Sequence, residues 1–221
     1  IALVLDGVVD PAKENGRKML EIAKRNAERL TYMINDLLDF SQLEAGKMRL
    51  HIDPCHLQVL IDEVLESLKN LADKKQVKLK FQPVDDFPKV HCDAERMIQV
   101  FTNLVGNAIK FTPEKGTVTA QTEIAPDHQI RIVVSDTGVG IAKENLERIF
   151  ERFEQVKGAS PKEERGTGLG LSICREFVKL HNGKIWAESE LGQGSRFIIL
   201  VPVTQDVRNQ NIPTKEEKVT K

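Results

Sequence analysis

The stretch TVTAQTEIAPDHQIRIVVSDTGVGI, residues 117–141, decides the fold of this chain. Apolar residues alternate with polar ones in 117–124, and 130–135 is rich in β-branched Ile and Val, as in strands. Pro126 and Asp127 between them are residues typical of turns. Two strands joined by so short a connection run antiparallel, so the stretch predicts a β-hairpin that ends in a glycine-rich loop.

Further strands and helices are predicted on both sides of this hairpin. A second strand pair is expected at 184–189 and 196–201, and 77–81 alternates as in a half-buried strand. Apolar stripes and capping residues predict helices at 57–71, at 97–109 after a capping Asp93, from Lys143 onward, and over Leu169–Leu180. With roughly five strands and four helices, and with strands in adjacent pairs, the pattern favours an α+β fold: a mostly antiparallel sheet with helices on one face.

The N-terminal part carries a different periodicity. Positions spaced alternately by four and three residues form a seam with a period of about 3.5 residues, as in helix bundles: Met19, Ala23, Asn26, Leu30, Met33, Leu37 and Phe40. Asp10 and Pro11 are typical of a helix start, and Gly46 of a helix end. Residues 1–9 look like the remainder of a preceding helix, so a helical hairpin is predicted. The polar segment 205–221 is expected to be a disordered tail or linker.

The composition argues against several classes of function. A net charge of −1 supplies no field for nucleic acid or for an anionic membrane. No stretch reaches the length of a transmembrane helix. The three cysteines are far apart, odd in number and without metal spacing, as expected of reduced thiols in a cytoplasmic protein. Because the chain begins with Ile1, we expect a piece of a longer protein, with a membrane involved only through an upstream region.

The segment NLVGNAIKF, residues 103–111, carries the first part of a candidate site. Asn103, Asn107 and Lys110 are spaced i, i+4 and i+7, so they share one face of a helix. Two amides and an ammonium on one face suit phosphate oxygens together with a hard cation such as Mg²⁺, which takes few protein ligands. Each asparagine alone would more simply be a surface amide.

Two glycine-rich segments add to the candidate site. DTGVGI at 136–141 follows a strand, and its carboxylate can accept hydrogen bonds from an exocyclic amine such as that of adenine. GTGLGL at 166–171 opens a helix, where backbone amides and the positive helix end attract anions. Neither is specific alone, because the first is also typical of a turn with a capping Asp and the second matches neither common phosphate-binding motif.

The order of these segments is more specific than any one of them. Together with FERF at 150–153 and GSRF at 194–197, they resemble the catalytic domain of sensor histidine kinases over residues 50 to 203. NDLLDFS at 35–41 and LEAG at 43–46 resemble the second helix of that family's dimerisation hairpin. The resemblance implies the two-layer α/β sandwich of histidine kinases, gyrases and chaperone-type ATPases. It divides the chain into a partial dimerisation and phosphotransfer hairpin at 1–49, a catalytic ATP-binding domain at 50–204 and the tail at 205–221.

The resemblance also implies a role for individual residues. Asp136 would bind the adenine amino group, Asn107 would coordinate Mg²⁺, and Asn103 and Lys110 would contact the phosphates. The remaining residues carried over are Phe111 flanking the nucleotide, Gly138, Gly140 and Ile141 in the adenine pocket, Gly166, Thr167, Gly168, Leu169, Gly170 and Leu171 around the triphosphate, and Ser195 near the base. Residues 152–168 would form a mobile lid, with Phe150 and Phe153 anchoring its near end.

Two features depart from the family pattern. Gln155 stands where the family often has an Arg at the start of the lid. The phosphoacceptor motif, a His followed by Glu and then Arg-Thr-Pro, is absent. None of the five histidines has that context, and all are expected to be surface or loop residues: His51, His56, His91, His128 and His181. The acceptor is therefore predicted upstream of Ile1.

The resemblance implies a protein-histidine kinase module that binds ATP and Mg²⁺. It would transfer the γ-phosphate to a hairpin histidine, for relay to the receiver domain of a response regulator. The full-length protein would be a cytoplasmic homodimer, or the cytoplasmic part of a membrane sensor, with no nucleic-acid partner. One alternative is an ATP-hydrolysing clamp such as gyrase, but those enzymes have a Glu at the position of Asn103, and an amide cannot replace it as general base. The other is a nucleotide-binding pseudokinase regulator, which Gln155 leaves open.

Overall fold

The structure is a computed structural model that describes residues 10, 13–154 and 167–204. The chain forms two compact units, which divide between Lys47 and Met48. The expected first hairpin helix at 1–9 and the expected tail at 205–221 lie outside the described residues. In the ranges given, no helix is long and apolar enough to cross a membrane.

The described part of the first unit forms one long helix, α1, over Glu14–Glu44. Its N-cap residue is Lys13, which makes no side-chain cap, so the helix begins three residues later than Asp10 and Pro11 predict. The end agrees with the prediction: Gly46 adopts φ 62°, its N–H donates to Leu43, and the N–H of Lys47 donates to Gln42. This pair of bonds is the Schellman arrangement, which satisfies carbonyls that the helix leaves free.

The predicted seam of α1 leaves large apolar side chains uncovered. Leu30 is 59% exposed and Leu37 56% exposed, and Met19, Ile22, Ile34 and Leu38 are exposed as well. Exposed apolar residues at this spacing are typical of a helix that packs in a bundle.

The second unit contains seven strands and three α-helices among its described residues. In chain order they are β1 Asp53–Cys55, α2 Leu57–Lys74, β2 Lys78–Gln82, β3 Val90–Cys92, α3 Ala94–Phe111, β4 Thr117–Ala125, β5 Gln129–Asp136, α4 Gly170–Leu180, β6 Lys184–Glu190 and β7 Gly194–Pro202.

Five of the strands form one sheet in the order β2-β4-β5-β7-β6. The pairs β4–β5, β5–β7 and β6–β7 are antiparallel, and only β2–β4 is parallel. The predicted β4–β5 hairpin therefore lies inside the sheet. The prediction of a mostly antiparallel sheet within an α+β sandwich is confirmed.

Helix α3 is the central element of the helical layer. It contacts α2, α4, β4 and β5. Its apolar face is buried through Met97, Val100, Phe101, Leu104, Val105, Ala108 and Ile109. At its start the carboxylate of Asp93 accepts the N–H of Arg96 at 3.1 Å, as the sequence predicts for an N-cap.

Other local features differ from what the sequence predicts. The helix expected from Lys143 is replaced by two single 3-10 turns, Lys143–Asn145 and Arg148–Phe150. Strand β3 was not predicted, since a segment of only three residues shows no clear alternation. It pairs with β1 in a small two-stranded sheet.

His181 lies in the turn after α4, as expected of a loop residue, but it is not a surface residue. Its side chain is 0% exposed. Its Nδ1 lies 2.7 Å from the carbonyl oxygen of Phe177, and its Nε2 accepts the N–H of Asp93 at 2.9 Å. The imidazole therefore joins the end of α4 to the start of α3.

Candidate nucleotide-binding site

The polar face of α3 places Asn103 and Asn107 beside each other. Both side chains are half-buried, on the opposite side from the apolar face that fixes the helix. Nδ2 of Asn107 donates to Oδ1 of Asn103 at 3.0 Å. This bond leaves Nδ2 of Asn103 as a donor and Oδ1 of Asn107 as an acceptor, and neither atom has another partner among the described residues.

The N-terminus of α4 lies directly against Asn103. Gly170 is the first residue of α4, and a Cβ added there would collide with the amide of Asn103. Glycine is therefore required for the close approach of the two helices. The approach brings the N-terminal end of α4, with its positive dipole, next to Asn103. The first and third sequence motifs thus meet in space.

The loop before α4 is described only in part. The N–H of Leu169 donates to Oγ1 of Thr167 at 3.1 Å, and Leu169 is buried while Leu171 is half-buried. Gly166 lies outside the described residues, so its assignment to the phosphate loop stays a prediction.

The C-terminal end of α3 has a partner for each of its last four carbonyl groups. Thr112 donates to Ala108 through its N–H at 3.0 Å and through Oγ1 at 2.6 Å. Nζ of Lys75 donates to Ile109 at 3.0 Å and also to Lys110. The carbonyl of the last residue, Phe111, accepts the N–H of Val139 at 3.3 Å. These bonds fix the last turn of α3 and join it to the glycine-rich loop after β5.

Lys110 and Phe111 occupy this fixed last turn. Nζ of Lys110 lies 5.0 Å from the centre of the Phe111 ring, a cation–π distance. Both side chains are half-buried. Lys110 comes three residues after Asn107 in α3, and that its ammonium shares a face with the two asparagines stays a prediction.

Asp136 is the last residue of β5, and its side chain is buried. Its Oδ1 accepts the N–H of Gly138 at 2.8 Å and that of Ser195 at 3.3 Å. Burial raises the pKa of this carboxyl, while the two amide hydrogen bonds act to lower it. Within the described ranges no donor reaches Oδ2, so this oxygen is left to accept a hydrogen bond from a ligand.

The loop from Asp136 to Ile141 is held between α3 and the β6–β7 turn. A Cβ at Gly138 would lie 2.5 Å from the carbonyl oxygen of Phe111, so only glycine fits there. The carbonyl of Val139 accepts the N–H of Gly192 at 2.8 Å, and the N–H of Ile141 donates to Oγ of Ser189 at 2.8 Å. Gly140 lies against the carbonyl of Glu190 in the same turn.

The expected lid falls mostly on 155–166, which lies outside the described residues together with Gln155. Phe150, the first expected anchor, is buried, and its ring meets the ring of Phe197 edge-on with 6.2 Å between the centres. Phe153, the second, is 63% exposed. It is held through its N–H, which donates to the carbonyl of Gly168 at 2.9 Å.

Two residues of this region belong to no motif of the sequence and were not predicted. Lys75 caps the end of α3, but nothing marks it among the other lysines of the chain. Ser189 bonds to the loop after β5, but it reads as an ordinary polar residue of a strand. Both act through contacts between segments far apart in sequence, which periodicity does not show.

Comparisons with known proteins agree with this geometry. The model of the family described as histidine kinase-, DNA gyrase B- and HSP90-like ATPase matches residues 92–205. Hybrid signal transduction histidine kinase D of Dictyostelium discoideum is 41% identical over 197 residues, which are 87% of this chain and 13% of that protein. The chain thus spans a small part of this curated relative.

Solved structures give the same result. Full-length ShkA in complex with AMPPNP superposes with a TM-score of 0.76 at 29% identity, over 87% of this chain and 40% of that one. Histidine kinase ThkA in complex with response regulator protein TrrA gives 0.67 at 27% identity, over 92% and 55%. The resemblance carried by the motif order is confirmed, and this chain belongs to the family of histidine kinase-, DNA gyrase B- and HSP90-like ATPases.

Proposed function

We propose that this chain is the ATP-binding kinase module of a sensor histidine kinase. The proposal rests on one observation. Helix α3 meets the N-terminus of α4 at Asn103 and Gly170, and the buried acceptor Asp136 lies at the end of β5. One end of such a site suits a purine amine and the other a chain of phosphates. The names of the relatives and the AMPPNP bound to ShkA support the same reading.

The base would bind at the end of β5. Oδ2 of Asp136 would accept one hydrogen of the adenine amino group, and Ser195 lies directly opposite in the register of β5 and β7. Gly138 and Gly140 leave room for the ring beside the loop, and Phe111 and Ile141 would flank it. Burial makes this carboxylate a stronger acceptor than one in water, because fewer solvent dipoles compete.

The phosphates would bind between α3 and α4. Nδ2 of Asn103 would donate to a phosphate oxygen, and Lys110 would supply a positive charge. The amides at the start of α4 and of the loop before it would add further donors, from Gly166, Thr167, Gly168, Leu169, Gly170 and Leu171.

Oδ1 of Asn107 is the side-chain oxygen that is suited to coordinate Mg²⁺. It is an uncharged oxygen without a donor among the described residues, and its orientation is fixed by the bond to Asn103. Mg²⁺ is commonly held by few protein oxygens together with phosphates and water. The ion would neutralise phosphate charge, and the role of Asn107 would be to hold it beside Asn103.

Phosphoryl transfer is favoured over hydrolysis by Asn103. An amide does not take a proton from water at neutral pH, so this position cannot supply a general base. The pseudokinase alternative is not needed to explain any contact of the described site. Transfer needs chiefly positioning and charge neutralisation, and the residues named above would supply both.

The acceptor would be a histidine of the dimerisation hairpin that is not among these 221 residues. No histidine precedes His51, so α1 carries none, and the imidazole of His181 is fully buried. The exposed apolar seam of α1 fits a homodimeric four-helix bundle in the full-length protein. The phosphoryl group would pass on to an Asp of a response regulator, as the ThkA–TrrA complex suggests, in the cytoplasm.

Isothermal titration of this chain with Mg·ATP, Mg·ADP and metal-free ADP tests the proposal. We expect saturable binding of all three, with the Mg·ATP complex losing most when Asn107 is replaced. Absence of adenine-nucleotide binding by a folded chain would contradict the proposal.

A further inference from the structure

Ser189 lies outside every motif of the sequence, yet its hydroxyl is fully used. It is a half-buried residue near the end of β6. Its Oγ lies 2.6 Å from the carbonyl oxygen of Gly194, 2.8 Å from the N–H nitrogen of Ile141 and 3.2 Å from Oγ of Ser195. A serine hydroxyl has one hydrogen to donate and two lone pairs that accept.

This number of hydrogens and lone pairs fixes which atom donates in each hydrogen bond. The carbonyl of Gly194 can only accept, so it takes the single hydrogen of Ser189. The N–H of Ile141 can only donate, so it uses one lone pair. The remaining lone pair can bond to Ser195 only if the hydroxyl of Ser195 is the donor.

The consequence for Ser195 is that its hydrogen points away from the base end of the site. Ser195 and Asp136 are direct partners in the β5–β7 register, so their side chains lie on the same face of the sheet. With its hydrogen given to Ser189, Oγ of Ser195 offers only lone pairs to a ligand. Beside it, Oδ2 of Asp136 also accepts.

We propose that Ser189 is a specificity-determining residue that acts through Ser195. By fixing the Ser195 hydrogen, it makes the base end a site of two acceptors, which matches the two hydrogens of a 6-amino purine. A 6-oxo purine presents an acceptor at this place and would leave it without a donor. This inference rests on the proposed function, and it adds a residue that selects between purines.

The experiment compares Mg·ATP with Mg·ITP by titration calorimetry on the whole chain. The two nucleotides share the phosphates and differ in the 6-substituent, so the ratio of their affinities reports on the base end alone. Wild type should favour ATP. Ser189→Ala frees the Ser195 hydroxyl to rotate and donate, so the ATP-to-ITP ratio should fall about five- to tenfold, the effect of one hydrogen bond. Ser189→Thr keeps a hydroxyl and should restore the ratio.

Ser135→Ala is the matched control, because its hydroxyl donates to the carbonyl of Thr119 at 3.3 Å and does not touch Ser195. It should leave the ratio unchanged. In a Ser195→Ala background, Ser189→Ala should change the ratio no further, because the hydroxyl that it orients is gone. If Ser189→Ala does not fold, Ser189→Cys replaces it and should lower the ratio in the same direction, since a thiol bonds weakly.

The outcomes distinguish a failure of the selectivity role of Ser189 from a failure of the proposed function. An equal loss of ATP and ITP affinity in Ser189→Ala would overturn the selectivity role and leave the nucleotide site in place. A wild-type chain that binds both equally well would also overturn it. A folded wild-type chain that binds neither would overturn the proposed function itself.

Discussion

Replacing Asp136 by Asn is the most informative single change in the base end of the site. Oδ1 of Asp136 accepts two backbone N–H groups, from Gly138 at 2.8 Å and from Ser195 at 3.3 Å. In the variant these two donors require an oxygen, so the amide oxygen takes the position of Oδ1. The NH₂ group must then occupy the position of Oδ2, where a donor would face the two hydrogens of the adenine amine.

The magnitude follows from this forced orientation. The variant loses an acceptor and buries two donors against each other, which costs roughly 1–3 kcal/mol or more. That corresponds to an increase in Kd for ATP of about five- to 150-fold. The two backbone hydrogen bonds remain and a buried charge is removed, so the thermal midpoint of unfolding should change little.

Titration calorimetry of wild type and Asp136→Asn with Mg·ATP and Mg·ITP provides the test, with circular dichroism as the control for folding. ATP affinity should fall while ITP affinity holds or rises, because the new NH₂ group can donate to a 6-oxo group. Unchanged ATP affinity in a folded variant would show that Asp136 does not contact the adenine amine.

Three further predictions concern the metal, the end of α3 and the buried imidazole. Asn107→Ala should weaken Mg·ATP far more than metal-free ADP in calorimetry, and equal losses would mean that Asn107 supports only the fold. Lys75→Met should lower the free energy of urea unfolding by about 1–2 kcal/mol, because two carbonyls of α3 lose a charged donor, whereas the exposed neighbour Lys74→Met should not. Burial lowers the pKa of His181, so the folded state favours the neutral imidazole. The free energy of urea unfolding should therefore be highest above a pH of about 6.5, the ordinary value of the group, and should fall as the pH drops below it. His181→Gln should make this fall smaller.

The patterns that predict this fold are local and periodic. The alternation in β4, the β-branched run in β5 and the apolar face of α3 depend on residues near in sequence, and each is found in the structure within a residue or two. The Gly46 cap belongs to the same class. The helix predicted from Lys143 is wrong because the few apolar residues of this stretch fit either a helix or short turns. The packing of Phe150 on Phe197, which favours the turns, joins residues that are far apart in sequence.

The candidate site was predictable to the extent that its residues form motifs. Asn103, Asn107 and Asp136 stand in such motifs, and the structure places the two asparagines in the C-terminal half of α3 and Asp136 at the end of β5. Lys75, Ser189 and His181 could not be recognised, because their partners lie far along the chain. The hydrogen bonds of a lone polar residue become known only when the fold brings its partners together.

In the proposed function these residues form a kinase module, and its acceptor histidine is not among the 221 residues of this chain. Incubating this chain with Mg²⁺ and γ-labelled ATP, alone and beside a longer protein that includes the hairpin histidine, tests it most directly. The account predicts that the chain alone binds the nucleotide but takes up no label, while the longer protein gains label that is acid-labile and base-stable, as in a phosphoramidate. Stoichiometric acid-labile label on this chain, mapped to one of its five histidines, would contradict it.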